Sequence, residues 1–458
     1  MHTGPFRIRR KTQQRNLTRR IIAVALVAHL AMMAAIGSYA EAPSRHERVR
    51  DRLWLWTHPA GSYNNDFIKN RSKKSSIEPV DAARDMGLRN AYFIRYKDVP
   101  KLPFESYYSS FRKLDRVCWS LTGASGATSV EEREHVLKLA EKYKKIVSFI
   151  MDDFFHPAAH LPLNWLAEND VEFPVTLTLR PDHPTVADHL RLVQSEWHTL
   201  DYRSKTFAVD VSADGKSFRQ VAAGELPNKP GATMDVILPK DPFVSLRIRI
   251  LSTHDSKQAA TSCGLKKVEL RSGDELIATE KWKAHASSEF PGHIARNVLA
   301  TDSVPMRASL TPEQLHELRK RLIIGGRRIP LHVVVYSHAI IPRAVHHLRH
   351  VDAITLWTWD PNELRNLEQN LTRLEELAPD KDIVLGCYMY DFGKRKPLPV
   401  ELMKQQTELG YGWLRQGRIK GMIFLASPIC DLGLESVEWT RQWIRRVGDE
   451  ALPALKPR

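Results

Sequence analysis

Ile146-Val147-Ser148-Phe149-Ile150-Met151-Asp152-Asp153-Phe154-Phe155-His156 is the stretch that decides the fold, because an apolar strand here ends in two adjacent carboxylates. Enzymes built on eight parallel strands keep their chemistry at the C-terminal ends of those strands. We therefore expect a barrel with Asp152 and Asp153 at its mouth, and we ask whether the rest of the chain supplies the other strands.

Short apolar runs alternate with helical stretches on both sides of this segment, as in a parallel sheet wrapped by helices. The runs predict eight strands, at residues 53–57, 91–95, 116–121, 146–152, 331–337, 353–357, 383–390 and 422–426. Helices are predicted at 79–87, 103–114, 130–145, 311–322, 341–349, 361–377, 398–416 and 434–447. The fold class is thus α/β, a (β/α)8 barrel made of residues 50–164 and 306–450.

One long segment interrupts this rhythm. Residues 165–305 show no helical period, and their alternating polar and apolar residues are broken by turns such as Ala213-Asp214-Gly215. We expect a β-sandwich inserted between strand 4 and helix 4 of the barrel. Loops at this end of a barrel tolerate insertions and line the active site.

The hairpin Ser212-Ala213-Asp214-Gly215-Lys216-Ser217-Phe218-Arg219-Gln220-Val221 resembles the S-x-D-G-x-x-F-x-x-V motif of the discoidin family, also called coagulation-factor type C domains. Residues 244–251 and 264–270 resemble late strands of that family. Residues 286–292 resemble its opening segment but lie near the end, which implies a permuted or degenerate sandwich. The resemblance implies sugar or lipid binding; a purely structural lid on the barrel rim is the alternative.

The charge of the chain is concentrated at its N-terminus. Of the formal net charge of +15, seven positive charges lie in residues 1–40, which hold no Asp or Glu, so about +8 remains for the rest. A nucleic-acid partner is therefore not expected. The basic stretch precedes the apolar run 21–36 and Ser38-Tyr39-Ala40, the pattern of a signal peptide. We expect a secreted or periplasmic protein, which contacts a membrane only if residues 1–40 remain as an anchor.

The strand ends place carboxylates and aromatic rings together at the predicted mouth. Such a set suits a carbohydrate, because aromatic faces stack on sugar rings while polar groups bind the hydroxyls. Asp152 and Asp153 are the main catalytic candidates; capping of a loop or pairing with Arg95 is the alternative. The predicted substrate-binding residues are His58, Arg95, Trp119, Tyr336, His338, Trp357, Trp359, Tyr388 and Tyr390.

Glycoside hydrolysis usually requires a proton donor and a second carboxylate. Asp391 is the first candidate for the second carboxylate and Asp360 the next, although Asp391 also suits a turn and Asp360 suits a helix N-cap before Pro361. Similarly, Trp357 suits packing between barrel and helix.

The Asp152-Asp153 pair after an apolar fourth strand resembles the motif of the O-GlcNAc hydrolase and hyaluronidase-like families of barrel glycosidases. That resemblance implies that Asp152 orients the acetamido group of the substrate and that Asp153 is the acid/base. It also implies a substrate-assisted reaction.

Three hypotheses follow for the activity. The first is an exported glycoside hydrolase that acts on a poly- or oligosaccharide without a cofactor or a metal. The second is a catalytically inactive carbohydrate-binding or cell-surface scaffold. The third is a metal-dependent hydrolase using His58, His156 and His338 with Asp152, although the chain has no His-x-His after its first strand. The oligomeric state is left open, and the scattered cysteines Cys118, Cys263, Cys387 and Cys430 are expected to be buried rather than paired in disulfides.

Overall fold

The computed structural model describes residues 47–196, 202–254, 261–301 and 304–453. The predicted signal segment and the seven basic residues within it lie outside these ranges. Within them, no helix is both long enough and apolar enough to cross a membrane.

The first half of the barrel is formed by the described residues that precede the sandwich. Four parallel strands follow one another around its wall: β1 (Leu53–Thr57), β2 (Asn90–Arg95), β3 (Arg116–Gly123) and β4 (Ile146–Met151). Helices α1 (Pro79–Asp85), α2 (Glu105–Tyr108) and α3 (Val130–Lys142) connect them. Helix α3 starts with a capping box, in which Ser129 and Glu132 satisfy each other's backbone N–H groups, as is common at helix starts.

A two-sheet β-sandwich then interrupts the barrel. Its longer strands are β5 (Val175–Arg180), β6 (His189–Gln194), β7 (Thr206–Ser212), β8 (Arg219–Glu225), β9 (Thr233–Ile237), β10 (Ser245–Ile250), β11 (Gly264–Ser272) and β12 (Lys283–Ala286). One sheet has the order β12-β5-β10-β7-β8. The other has β9-β6-β11, with the two-residue strands Trp165–Leu166 and Glu275–Leu276 added on β11.

The second half of the barrel follows the sandwich. Its strands are β13 (Leu331–Tyr336), β14 (Ala353–Trp357), β15 (Asp382–Tyr388) and β16 (Gly421–Leu425). Its helices are α4 (Pro312–Lys320), α5 (Val345–Leu348), α6 (Leu367–Leu377), α7 (Val400–Gln416) and α8 (Glu435–Val447). Strand β4 pairs with β13 and β16 pairs with β1, so the eight strands close into a barrel of the order β1-β2-β3-β4-β13-β14-β15-β16.

The barrel and the sandwich each have their own hydrophobic core. The barrel core extends from Val49 to Val447 along the chain, and the sandwich core from Trp165 to Leu299. The two ends of the sandwich lie close together, because Asn297 Nδ2 donates to the carbonyl of Asn164 at 2.8 Å. The predicted α/β barrel with a sandwich after its fourth strand is confirmed.

The four cysteines are buried and free, as expected. The predicted helices are also present, with two physical differences. Residues 109–113 form a 3-10 helix directly after α2, and residues 361–366 form one directly before α6. Helix α5 is only four residues long, because a 3-10 turn at Pro342–Ala344 precedes it.

Candidate functional site

A cavity of about 360 Å³ opens at the C-terminal ends of the barrel strands. Strands β1, β4, β13, β15 and β16 deliver residues to it at or just beyond their last positions. Its walls are formed by Trp56, His58, Tyr63, Phe67, Tyr96, Lys97, Ala124, Ser125, Asp152, Asp153, Tyr336, Trp359, Tyr388, Phe392 and Leu425. The cavity therefore contains both members of the carboxylate pair.

Backbone hydrogen bonds fix the pair at the end of β4. The backbone N–H of Asp152 donates to Thr122 Oγ1 at 2.8 Å, which ties the end of β4 to β3. The N–H of Asp153 donates to Asp152 Oδ1 at 2.9 Å. Asp153 has φ +42°, a left-handed conformation that is rare for residues other than glycine and that directs the chain away from the strand. Both side chains consequently reach the same cavity instead of alternating across the sheet.

Gly126 lets the loop after β3 approach this strained segment. It has φ +75°, and a Cβ atom added there would lie 2.5 Å from the Asp153 carbonyl oxygen and 2.8 Å from Ser309 Oγ. A glycine is therefore required for two reasons, the backbone conformation and the close contact. The loop after β3 therefore packs directly against the backbone of Asp153.

Asp152 is the buried member of the pair, with 7% of its surface exposed. Burial raises the pKa of its carboxyl well above the usual range, and the charge of Asp153 raises it further; the hydrogen bond from the Asp153 N–H acts in the opposite direction but is weaker. This shift favours the protonated form of Asp152, the form required of a general acid.

Asp153 is half-buried and accepts a hydrogen bond from Tyr336. The distance from Tyr336 Oη to Asp153 Oδ1 is 2.5 Å. Burial raises the pKa of the Tyr336 phenol well above its usual value, and the nearby Tyr388 and Asp153 raise it further. The phenol therefore stays protonated and is the donor of this hydrogen bond. The Tyr336 hydroxyl thus fixes the position of the Asp153 carboxyl in the cavity wall.

Aromatic rings form the remaining walls. Trp359 is 41% exposed at the mouth, and its ring packs edge-on against Tyr388 and Tyr336 with centroids 5.8 and 6.3 Å apart. Phe392 and Tyr63 continue this wall, with ring centroids 5.4 Å apart. A cavity with carboxylates in its floor and rings around them suits a ligand with both hydroxyl groups and apolar faces.

His58 lines the cavity, but both of its ring nitrogens are engaged. Its Nδ1 lies 3.0 Å from the carbonyl oxygen of Ile94, and its Nε2 accepts a hydrogen bond from Trp56 Nε1 at 3.1 Å. Burial lowers its pKa to about 4, although the bond to Ile94 opposes this shift. The imidazole is therefore neutral and fixed, so it shapes the wall by its ring face.

Five of the nine predicted substrate-binding residues are absent from the cavity wall, namely Arg95, Trp119, His338, Trp357 and Tyr390. Arg95 is buried and forms an ion pair with Glu132 at 2.7 Å. Trp119 packs among Phe93, Phe104 and Phe111 in the barrel core. Trp357 is fully buried and donates to Thr355 Oγ1 at 2.9 Å, and Tyr390 donates to the carbonyl of Phe67 at 3.4 Å. The strand ends at Arg95 and Trp357 were predicted correctly. Trp119 lies within β3 and Tyr390 lies beyond the end of β15. These four side chains take part in contacts between strands and helices or between loops.

His338 lies beside the cavity rather than in its wall. Its ring stacks on Tyr336 at 5.6 Å with an interplanar angle of 14°, and it contacts His160 at 4.1 Å. Burial lowers its pKa to about 4, and His160 lowers it further. His338 thus supports the residue that donates to Asp153.

The two candidates for a second carboxylate do not line the cavity either. Asp391 is buried, and its Oδ1 accepts the N–H of Lys394 at 2.9 Å, which closes a turn. Asp360 Oδ1 accepts the N–H of Asn362 at 2.9 Å, as an N-cap does. For both residues the structure shows the alternative role that the sequence had left open.

Sequence reasoning missed several residues of the wall. Tyr63, Phe67, Tyr96, Lys97, Ser125 and Phe392 lie in loops after β1, β2, β3 and β15. The signal available was the length of the segment between β1 and α1, since a loop of that size at this end of a barrel commonly contributes to the site.

A metal site was one of the alternatives. Across the described ranges, no three His, Cys, Asp or Glu side chains are grouped so that they would hold a metal ion. His58, His338 and Asp152 have the separate contacts given above, and His156 is exposed beyond the pair.

The comparisons with known proteins concern folds. No protein-family model matches this chain, and no curated protein does. Among solved structures it is similar to a family 32 carbohydrate-binding module from a family 31 glycoside hydrolase of Clostridium perfringens, with 12% identity, a TM-score of 0.21, and coverage of 23% of this chain and 72% of the module.

Two further solved structures are similar at the same TM-score of 0.21. One is a family 32 module from Clostridium perfringens solved in complex with GalNAc-β-1,3-galactose, with 14% identity and coverage of 27% of this chain and 84% of the module. The other is a fragment of a putative chitobiase from Bacteroides thetaiotaomicron, with 16% identity and coverage of 24% and 67%.

Proposed function

We propose that the protein is exported and that it hydrolyses the glycosidic bonds of 2-acetamido sugars in a poly- or oligosaccharide. The observation that carries the proposal is the pair itself: Asp152 and Asp153 are the carboxylates in the wall of this aromatic cavity, within the part of the chain that the structure describes. Two carboxyls side by side, of which burial raises the pKa of Asp152, can transfer a proton and stabilise the developing charge.

The position of the pair favours a substrate-assisted reaction. In the two-carboxylate schemes the acids flank the scissile bond, at about 5–5.5 Å for retention or about 6.5–9.5 Å for inversion. Asp391 and Asp360, the candidates for the opposite side, are engaged outside the cavity. When both acids lie on consecutive residues of one strand end, the acetamido oxygen of the substrate can serve as the nucleophile instead. The resemblance of the Asp-Asp motif to O-GlcNAc hydrolases agrees with this scheme.

The burial of Asp152 suggests the roles, because it raises the pKa of that carboxyl. The Asp152 carboxyl donates its proton to the glycosidic oxygen as the bond from that oxygen to the anomeric carbon breaks. The acetamido carbonyl oxygen attacks the anomeric carbon and closes a bicyclic oxazolinium ion, whose N–H donates a hydrogen bond to Asp153. Water then attacks the anomeric carbon and gives one proton to Asp152, while the bond from the anomeric carbon to the acetamido oxygen breaks and the amide is restored. This assignment exchanges the two roles that the resemblance implies.

Aryl glycosides test both the activity and the roles. Wild type should release phenols from 2-acetamido-2-deoxy glycosides and not from the matched 2-hydroxy series. Asp153→Asn should lower kcat by about 10²–10⁴-fold for all leaving groups. Asp152→Asn should lower kcat/KM similarly for poor leaving groups but little for dinitrophenol, which departs without a proton.

The reverse pattern would give the acid role to Asp153, as the resemblance implies. Saccharide binding without hydrolysis in the wild type would contradict the proposal and favour a carbohydrate-binding scaffold. Unchanged hydrolysis by both variants would place the chemistry elsewhere.

A further inference from the structure

The end of the barrel opposite the cavity is strongly basic along part of its rim. At this end lie the segments that precede β3, β4 and β13. We call residues 112–116, 141–145 and 323–328 of these segments the basal patch. It contains eight Lys and Arg residues and only two acids, Asp115 and Glu141, so its charge is positive. The cations are Arg112, Lys113, Arg116, Lys142, Lys144, Lys145, Arg327 and Arg328.

Hydrogen bonds join the three segments into one surface. Lys145 Nζ donates to the carbonyl oxygens of Arg112 at 2.8 Å and Leu114 at 2.7 Å. Arg327 Nη1 donates to the carbonyl oxygen of Lys144 at 3.3 Å. Because these acceptors are neutral, the contacts fix the cations and leave their charge uncompensated.

The outer cations of the basal patch are exposed and lack carboxylate partners. Lys113, Lys142 and Lys144 are all exposed, and no carboxylate of the described residues pairs with them. The guanidinium of Arg112 lies 4.9 Å from the centre of the Tyr143 ring, and Lys142 Nζ lies 5.5 Å from it. The patch therefore presents its charge to solvent beside an aromatic ring.

The positive charge does not extend evenly around this end of the barrel. Residues 350–352 and 379–382, which precede β14 and β15, carry three acids and one lysine. One of these acids, Asp352, pairs with Arg328 at 2.9 Å, at the boundary of the basal patch. The positive charge is thus concentrated beside β3, β4 and β13, which the net charge of the chain does not reveal.

An exposed apolar side chain lies within the basal patch. Ile323 is 62% exposed, on a short hairpin in which residues 323–324 pair with residues 327–328. Gly325 and Gly326 form its turn, with φ values of +55° and +74°. Protein surfaces that lie on membranes combine Lys and Arg with apolar or aromatic side chains that enter the headgroup region. Ile323 and Tyr143 supply such side chains here.

The segment that leads into β1 lies at this same end. Arg116 Nη1 donates to the carbonyl oxygen of Asp51 at 3.3 Å, so this segment touches the basal patch. In the sequence, residues 37–46 separate the apolar run 21–36 from Glu47, the first described residue. A fully extended segment of that length spans at most about 35 Å. An apolar run that stays in a membrane would therefore keep this end of the barrel close to the lipid surface.

We infer that the basal patch docks on an anionic phospholipid surface, so that the cavity at the opposite end of the barrel faces away from the membrane. Anionic headgroups attract each Lys and Arg near the surface, and these attractions add up over the patch. The inference goes beyond the proposed function and does not depend on it, because the patch shares no residue with the cavity wall.

The test measures hydrogen exchange in the full chain bound to lipid nanodiscs. One set of discs contains phosphatidylcholine alone, and the other contains phosphatidylglycerol as well. Amides of residues 109–116, 141–146 and 322–329 should exchange about fivefold more slowly on the anionic discs, and this difference should shrink as salt rises. Amides of residues 61–75, in the loop after β1 at the cavity mouth, should exchange equally on both.

The triple variant K113Q/K142Q/K144Q should abolish the difference between the discs. The control K216Q/K229Q/K283Q removes three exposed cations from the sandwich and should keep the difference. Equal exchange on both discs, an equal loss in both variants, or slower exchange at the mouth instead of the patch would overturn the inference. So would protection of the patch by single-stranded RNA but not by anionic discs, which would make it a nucleic-acid surface.

Discussion

At the scale of single residues, the account depends on which carboxyl holds the proton. The sequence could predict that Asp152 and Asp153 end a strand at a barrel mouth, because an apolar run followed by two acids has few other interpretations. It could not predict that burial raises the pKa of Asp152, or that Asp153 accepts a hydrogen bond from Tyr336 at 2.5 Å. Tyr336 lies 183 residues further along the chain, so only the folded barrel brings them together.

The first prediction concerns the stability of Asp152→Asn. The folded pKa of Asp152 is raised, so its contribution to stability is complete below the unfolded pKa of about 3.9 and is lost as pH rises toward the folded value. The asparagine keeps the Oδ1 acceptor for the Asp153 N–H and does not titrate. The melting temperature of the variant should therefore exceed that of the wild type by an amount that grows from pH 4 to pH 8. Each pH unit between the folded and unfolded pKa corresponds to about 1.4 kcal/mol.

Thermal melts across this pH range check the prediction, with Asp274→Asn, which alters an exposed carboxyl, as the control for the loss of one charge. A difference between wild type and Asp152→Asn that stays constant with pH would show that Asp152 is ionised in the folded protein.

At the scale of elements, the sequence predicted strands and helices better than it predicted the direction of side chains. The strand end at Trp357 was placed correctly and Trp119 lies within β3, yet both indoles pack inside. Gly386 on the neighbouring strand makes room for the buried indole of Trp357, since a Cβ atom at Gly386 would lie 2.1 Å from the ring. Such a pairing between neighbouring strands has no signature within either strand. The sequence around Asp391 indicates a turn and the sequence around Asp360 indicates an N-cap. The hydrogen bonds of both carboxylates agree with these local patterns.

The second prediction tests the loop that supports the pair. Gly126→Ala must accommodate both a positive φ and a Cβ atom 2.5 Å from the Asp153 carbonyl oxygen. We expect a loss of about 2–4 kcal/mol in the free energy of unfolding, more than the cost of about 1–2 kcal/mol for the conformation alone. Hydrolysis should fall as the backbone of Asp153 moves.

Gly273→Ala is the matched control, since Gly273 has φ +61° and no atom within 4 Å of its added Cβ. Chemical denaturation of both variants gives the comparison. Equal losses would show that the close contact with Asp153 contributes nothing.

At the scale of the whole molecule, the chain is a barrel and a sandwich with separate cores. The change from a helical to an alternating pattern at residue 165 made this division predictable. The loop residues of the cavity wall were not predictable, because Tyr63, Tyr96 and Phe392 come from loops after β1, β2 and β15, which only the closed barrel brings together.

The third prediction follows from the separate cores and from the proximity of Asn164 and Asn297. A fragment of residues 163–301 should fold alone, and the barrel with this segment replaced by a short Gly-Ser linker should keep its secondary structure. Both should melt cooperatively by circular dichroism. A fragment or a barrel that remains unfolded would show that the two cores stabilise each other.

The central claim is that Asp152 and Asp153 promote attack by the acetamido oxygen of the substrate. Its most direct test is kcat for a series of aryl 2-acetamido-2-deoxy glycosides whose N-acetyl group carries zero, one, two or three fluorine atoms. Fluorine withdraws electrons from the attacking oxygen, so we predict that kcat falls steadily along the series and that the trifluoro substrate is the slowest. Rates independent of fluorine, or equal hydrolysis of the 2-hydroxy glycosides, would contradict the account.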